Sequence, residues 1–214
     1  SMTLKICVAQ LNFVVGDMAG NARRIAQAAR EAHARGVRLV LTPELALCGY
    51  AAEDLFLRPA FVDACDDALN WLVQETADLN GLTLVVGHPA RQASAGRRER
   101  SVSVASLSNA ASVLCEGHIT HCYAKRELPN YQVFDERRYF VPGHEACVFD
   151  VAGDDGRPVR VGLLICEDAW FEAPAADARA AGAELLAVIN ASPFHAGKGG
   201  EREATMANRA RAVN

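Results

Sequence analysis

The chain has 214 residues, half of them hydrophobic, and a formal net charge of -4. That length and composition suffice for one globular unit with a full core, and the charge offers no basic field to gather phosphate backbones, which excludes nucleic acid and anionic membranes as partners. No run approaches the roughly twenty continuous apolar residues of a membrane span, and the N-terminal segment lacks the apolar stretch of a signal peptide, so the expected location is cytoplasmic. Seven cysteines without a C-x-x-C pair suit reduced thiols better than a disulfide framework or a zinc ribbon.

In chain order, Lys5 to Leu11 has the apolar density of a strand, and Gly16-Asp17 punctuates a turn. Asn21 is placed to cap a helix from Ala22 to Arg35, which ends at Gly36, where a left-handed residue fits. A short strand from Val37 to Leu41 follows. A helix from Ala60 to Leu79 closes at Asn80-Gly81, and a strand runs from Leu82 to Val86, ending at Gly87. Gln92 to Arg100 is rich in Ser, Gly and Arg without periodicity and reads as an exposed, mobile loop. Ala110 to Leu114 and His118 to Tyr123, separated by Glu116-Gly117, form a hairpin. Next come Ala146 to Val151, a turn at Asp154-Asp155-Gly156, and the apolar strand Val159 to Ile165. A helix from Ala175 to Ala181, a strand from Leu185 to Asn190 and a final helix beginning near Glu201 complete the series. This alternation, with hairpins among the helices, predicts a layered α/β protein whose sheets are mixed.

Three strand ends carry reactive side chains, in the position where α/β sheets collect ligands. Leu39 to Leu41 leads through Thr42 and Pro43 to Glu44; the second hairpin strand leads to Lys125; the strand ending at Ile165 delivers Cys166 and then Glu167 and Asp168. Taken singly, a loop glutamate, a lysine and a free cysteine are ordinarily a solvated acid, a surface cation and an inert core thiol. Together they fit one reaction: a thiolate attacks a carbonyl, a carboxylate takes and returns the proton, and an ammonium steadies the oxyanion. This requires all three in one pocket, the sulfur about 3 to 4 Å from both partners. Neighbouring strand ends about 5 Å apart are the expected route to that convergence. No G-x-S-x-G elbow or H-E-x-x-H helix competes. His118, His121 and Cys122 are not assigned to a metal, because an alternating strand points the two histidines to opposite faces.

In this trio the sequence resembles the nitrilase superfamily, whose catalytic residues are Glu, Lys and Cys in that order. The segments LTPEL around Glu44, YAKRELPNY around Lys125 and LLICED around Cys166 carry the likeness. Two runs, LPNYQVFDERRYF (128 to 140) and ICEDAW (165 to 170), are similar to the N-terminal glutaminase domain of bacterial glutamine-dependent NAD synthetases. The likeness extends from VAQLN and GDxxGN to NASP (190 to 193).

The resemblance implies an α-β-β-α sandwich of mixed sheets over residues 1–214, with Glu44 as base, Lys125 as cationic partner and Cys166 as nucleophile. It implies that Glu136 holds Lys125 or relays a proton. Tyr131, Glu167 and Ser192 would line the pocket for the zwitterionic head of glutamine. An unpaired Glu167 beside the nucleophile would raise the thiol pKa, and a substrate ammonium removes that objection. The implied reaction is glutamine hydrolysis through a thioester, its ammonia used to amidate nicotinate adenine dinucleotide in a synthetase domain of the same polypeptide, within a homo-oligomer. ATP and magnesium belong to that domain: no S-G-G-x-D-S segment occurs here, and no cofactor or metal is expected in this chain. The chain stops inside a helical pattern without glycine cap or proline stop, so truncation at the C-terminal end is expected. A stand-alone amidase acting on another amide and a noncatalytic interaction module are the alternatives.

Overall fold

The computed structural model describes residues 3–50, 52–92, 106–131, 134–191 and 200–207; at 130, 131, 134 and 200–207 it describes the backbone alone. The strands are β1 (Thr3–Gln10), β2 (Leu39–Leu41), β3 (Thr83–Arg91), β4 (Leu107–Cys115), β5 (His118–Ala124), β6 (Asn130–Tyr131), β7 (Phe134–Asp135), β8 (Val148–Ala152), β9 (Pro158–Ile165), β10 (Leu185–Ile189) and β11 (Gly200–Ala207). The helices are α1 (Met18–Ala34), α2 (Pro59–Glu75) and α3 (Glu172–Ala180). A six-stranded sheet has the order β11-β1-β2-β3-β4-β5, parallel through β1, β2 and β3 and antiparallel elsewhere. A second sheet has the order β10-β9-β8, and β6 pairs with β7. Among the described residues, no helix is long and apolar enough to cross a membrane.

Period-two alternation sorts the strand side chains into layers. Leu4, Ile6, Leu39, Leu41, Val85, Ala111 and Val113 meet Val159, Val161, Leu163, Ile165 and Ala187 in a core between the two sheets. Their neighbours Cys7, Ala9, Val40, Leu84 and Val86 face the other way, onto Ile25, Ala29, Leu69 and Leu72 of α1 and α2. Helix α3 covers β9 on the far side, where a Cβ on Gly162 would come within 2.9 Å of Ala183 Cβ and 3.0 Å of Ala178 Cβ. The layers are therefore helix, sheet, sheet, helix, as expected. The Glu116-Gly117 turn has φ of 47° and 85°, the left-handed pair of a tight hairpin.

Two elements depart from the sequence reading. Asp17, not Asn21, caps α1: its Oδ1 accepts from Gly20 N at 3.0 Å, and the helix starts at Met18. Asn21 lies buried in the first turn, its side chain bonded to Val14 N, Val14 O and Leu47 O, so tertiary partners took the amide that the turn pattern offered as a cap. The final helix begun near Glu201 is instead β11, which lies antiparallel along β1 from Gly200 to Ala207. Pairing there satisfies the free edge of β1, a demand that outweighs the modest helix propensity of an eight-residue segment. Of the loop expected at Gln92 to Arg100, residues 93–100 lie outside the described residues.

Candidate active site

Glu44 follows β2 in a turn pinned on every side. Thr42 Oγ1 donates to Val85 O and accepts from Gly87 N, Leu47 N reaches Gly87 O, and Glu44 N donates to Asn190 O at the end of β10, 2.8 Å away. The turn runs so close over β3 that a Cβ on Gly87 would fall on the Pro43 carbonyl oxygen and lie 2.8 Å from Leu45 N. Leu45 takes φ 54°, a left-handed value that a branched side chain adopts only when its surroundings impose it.

Lys125 comes directly after β5, with its N–H on Asn109 O of β4 and its carbonyl accepting from Gly143 N. Its ammonium lies 2.6 Å from Glu44 Oε2 and 2.9 Å from Glu136 Oε1. Glu136 begins a short 3-10 turn (Glu136–Arg138) capped by Asp135, whose Oδ1 accepts from Arg137 N. All three side chains are at most 1% exposed. The ammonium also lies 2.7 Å from Glu167 Oε2, an ion contact outside hydrogen-bonding geometry.

Cys166 follows β9 directly and opens a 3-10 turn (Cys166–Trp170) with φ 48°. Its sulfur and the carboxylate oxygens of Glu44 and Glu167 lie within 4.8 Å of one another. The trio thus converges, but not by the expected route. Glu44 and Lys125 stand on the six-stranded sheet and Cys166 on the three-stranded one, so they meet across the sandwich, not at adjacent strand ends. Three such atoms could share a metal ion, but the Lys125 ammonium already sits against both carboxylates and supplies the positive charge there.

One ammonium faces three carboxylates, so the groups cannot all keep ordinary titration. Burial raises the Glu44 carboxyl to about 7; Lys125 opposes this and Glu136 adds to it. Burial raises Glu136 as well. Burial disfavours the charged Lys125, but Glu44, Glu136 and Glu167 outweigh it and hold the ammonium protonated far above neutral pH. The Cys166 thiol is pushed up to about 12 by burial, by the Glu44 charge and by the neighbouring Glu167 carboxylate. Burial alone would raise Glu167, yet contact with Lys125 brings it below the usual carboxylate value. In this state the site holds a neutral thiol beside a carboxyl poised near neutrality. Such a pair can transfer a proton as a sulfur attacks, without a standing thiolate.

Of the expected substrate residues, Glu167 turns to Lys125 and Cys166, the backbone of Tyr131 lies in β6, and Ser192 lies outside the described residues. His118 and His121 are both exposed.

Three further residues had no role assigned from the sequence. Asn109, fully buried, donates its amide to Glu44 Oε2 at 3.1 Å and to Glu136 Oε2 at 3.4 Å. Asp168, also fully buried, accepts from Tyr123 Oη at 2.5 Å, Arg126 N at 3.0 Å, Glu127 N at 2.8 Å and Ile165 N at 3.1 Å, fastening the Cys166 turn to the segment after Lys125. Tyr50 is near enough for the charges of Glu44 and Glu136 to help burial push its hydroxyl pKa upward. The polar Ser108-Asn109 pair in a mostly apolar strand was the available signal for the first. Tyr50 offered none.

The model of the carbon-nitrogen hydrolase family matches residues 5–214. A glutamine-dependent NAD(+) synthetase of Xylella fastidiosa is 46% identical over 213 residues, covering 97% of this chain but 35% of that protein. Among solved structures, the glutamine-dependent NAD+ synthetase of Acinetobacter baumannii has a TM-score of 0.74 at 28% identity, over 91% of this chain and 34% of that one. An amidase variant of Nesterenkonia sp. AN1, solved with the acetamide moiety of fluoroacetamide covalently added at its active-site cysteine, has a TM-score of 0.67 at 27% identity, over 87% and 64%. This chain thus spans about a third of the length of the curated relatives it matches. With its sandwich fold and the Glu44, Lys125 and Cys166 cluster at the strand ends, the chain belongs to the carbon-nitrogen hydrolase family.

Proposed function

We propose that this chain hydrolyses the side-chain amide of glutamine and supplies the ammonia to a synthetase domain of the same polypeptide, which amidates nicotinate adenine dinucleotide to NAD. The observation that carries the reading is the meeting of Cys166, Glu44 and Lys125 in one site, the Glu44 carboxylate 2.6 Å from the lysine ammonium and within 4.8 Å of the sulfur. The likeness over 97% of the chain to a glutamine-dependent synthetase directs the choice of amide.

In the first half-reaction Cys166 Sγ bonds to the amide carbonyl carbon as its proton passes to Glu44. The oxyanion is met by Lys125 and by a backbone N–H just after Cys166. Glu44 returns the proton to the nitrogen, the C–N bond breaks and ammonia leaves. Water, deprotonated by Glu44, then opens the thioester to glutamate and restores the thiol. Glu136 holds Lys125 from behind at 2.9 Å. Glu167, Tyr131 and Ser192 take the zwitterionic head of glutamine; for this Glu167 gives up its contact with Lys125 to the substrate ammonium. ATP and magnesium act in the synthetase domain, and the intact protein works as a homo-oligomer.

The test is glutaminase activity of the intact protein with and without Cys166→Ala, together with mass spectrometry after a glutamine-mimicking electrophile. Complete loss of activity and a single adduct at Cys166 are expected. A fully active Cys166→Ala enzyme, or an adduct elsewhere, overturns the reading.

A further inference from the structure

Lys125 is shared among three carboxylates, and something other than Lys125 must keep Glu44 ready to accept a proton. Among the described residues, the titratable groups around Glu44 are Lys125 after β5, Glu136 on its 3-10 turn, Cys166 and Glu167 after β9, and Tyr50 beyond its own turn. Of these, Glu136 and Glu167 carry charges that make ionisation of Glu44 harder, whereas the Cys166 thiol and the Tyr50 hydroxyl are neutral. Asn109 is the exception among the neutral groups. Its Nδ2 is a double donor placed between Glu44 Oε2 at 3.1 Å and Glu136 Oε2 at 3.4 Å. Its own Oδ1 is buried without a partner among the described residues. The orientation follows from that surrounding: reversing the amide would set its oxygen against two carboxylates. A buried acceptor left empty is a cost that the strand bears at Asn109 and that a leucine of the same shape would not incur.

We infer that Asn109 is a positioning residue for the reaction, a neutral clamp whose two N–H groups hold Glu44 and Glu136 apart and favour the ionised form of Glu44. It touches neither sulfur nor substrate and acts through Glu44. Its backbone serves the same arrangement, since Asn109 O accepts from Lys125 N at 2.8 Å and fixes where the lysine leaves β5. One strand position therefore sets the base by its side chain and the cation by its carbonyl. The direction matches the effect at Glu136, where the same amide opposes the rise that burial causes.

The inference rests on the glutaminase reading, and its test separates the two. The pH profile of kcat/KM for glutamine is measured in the intact protein for wild type, Asn109→Leu, which removes donor and orphan acceptor at constant shape, and Asn109→Ser, which keeps a donor. The acid limb, which reports ionisation of the base, is expected to move up by about one pH unit in Asn109→Leu, so that at a pH below the limb the rate falls about tenfold while the plateau changes little. Asn109→Ser should move it less. A uniform fall at every pH, with the limb unmoved in either folded variant, overturns the clamp and leaves the glutaminase standing. If wild-type Cys166 fails to label, the glutaminase reading fails instead. Should Asn109→Leu not fold, Asn109→Ser decides alone: a limb unmoved and a rate lowered at all pH values refutes, a limb raised supports.

Discussion

Two clusters in this molecule have the same ingredients and opposite behaviour. On the surface, Arg91 at the end of β3 bridges Asp63 and Asp66 of α2, both at 2.7 Å, with side chains 33%, 65% and 43% exposed. At the site, Lys125 bridges Glu44 and Glu136 at 2.6 and 2.9 Å, with no side chain more than 1% exposed. The contact distances are alike, so distance does not separate them. Water does: it screens the surface set, while its absence makes every charge in the buried set depend on its neighbours. A buried ion cluster is weak evidence of stability and good evidence of a site whose pKa values are tuned.

The comparison breaks most sharply at Lys125. Lys125→Ala leaves Glu44, Glu136 and Glu167 buried without their cation, and is expected to cost about 3 to 5 kcal/mol in urea unfolding and to lower turnover by at least about a hundredfold. A variant as stable as wild type would mean that the cluster is far more hydrated than its burial indicates. Asp168→Ala strips acceptors from Tyr123, Arg126, Glu127 and Ile165 together, and about 2 to 4 kcal/mol of destabilisation is expected, with slower thiol labelling as the Cys166 turn loosens. Asp168→Asn, which keeps one acceptor oxygen, should lose less.

Glu44→Gln sharpens the comparison through pH. It should lower turnover by about 10² to 10⁴ while leaving the thiol in place. Its stability has a defined sign. The folded carboxyl titrates at about 7 and the unfolded one near 4.5, so the folded state binds more protons between these values and wild-type stability falls as pH rises through that window. Glu44→Gln lacks this loss, so its melting temperature relative to wild type should improve from pH 5 to pH 8. A constant difference would refute the raised pKa. The smallest effect is expected at Arg91→Ala: under about 1 kcal/mol, diminished by salt, with kcat/KM unchanged. A larger loss would show that the surface cluster also anchors β3 to α2.

Residue order made much of this legible. The strand ends at Glu44, Lys125 and Cys166 could be read because an apolar run that stops at a reactive side chain is a local pattern. The hairpin turn at Glu116-Gly117 and the left-handed Gly36 and Gly81 were equally local. Asn21 was misread because its competitors, Val14 and Leu47, are tertiary. The segment from Glu201 was misread because its partner, the edge of β1, lies almost the whole chain away. Asn109 showed only as a polar residue in a buried strand, and its meaning required two glutamates from distant segments.

The sequence by itself determined the layers, since alternation along β1, β2 and β9 dictates which faces are apolar, and it determined which residues could do thiol chemistry. Only the tertiary structure decided that these residues meet across two sheets instead of along one. It also decided that Glu167 lies against Lys125 and that the thiol stays neutral beside a carboxyl near its titration point. The physical reason is that side-chain identity is fixed by the chain, whereas burial and the company of other charges, which set a pKa and a proton's position, exist only once distant segments have packed together.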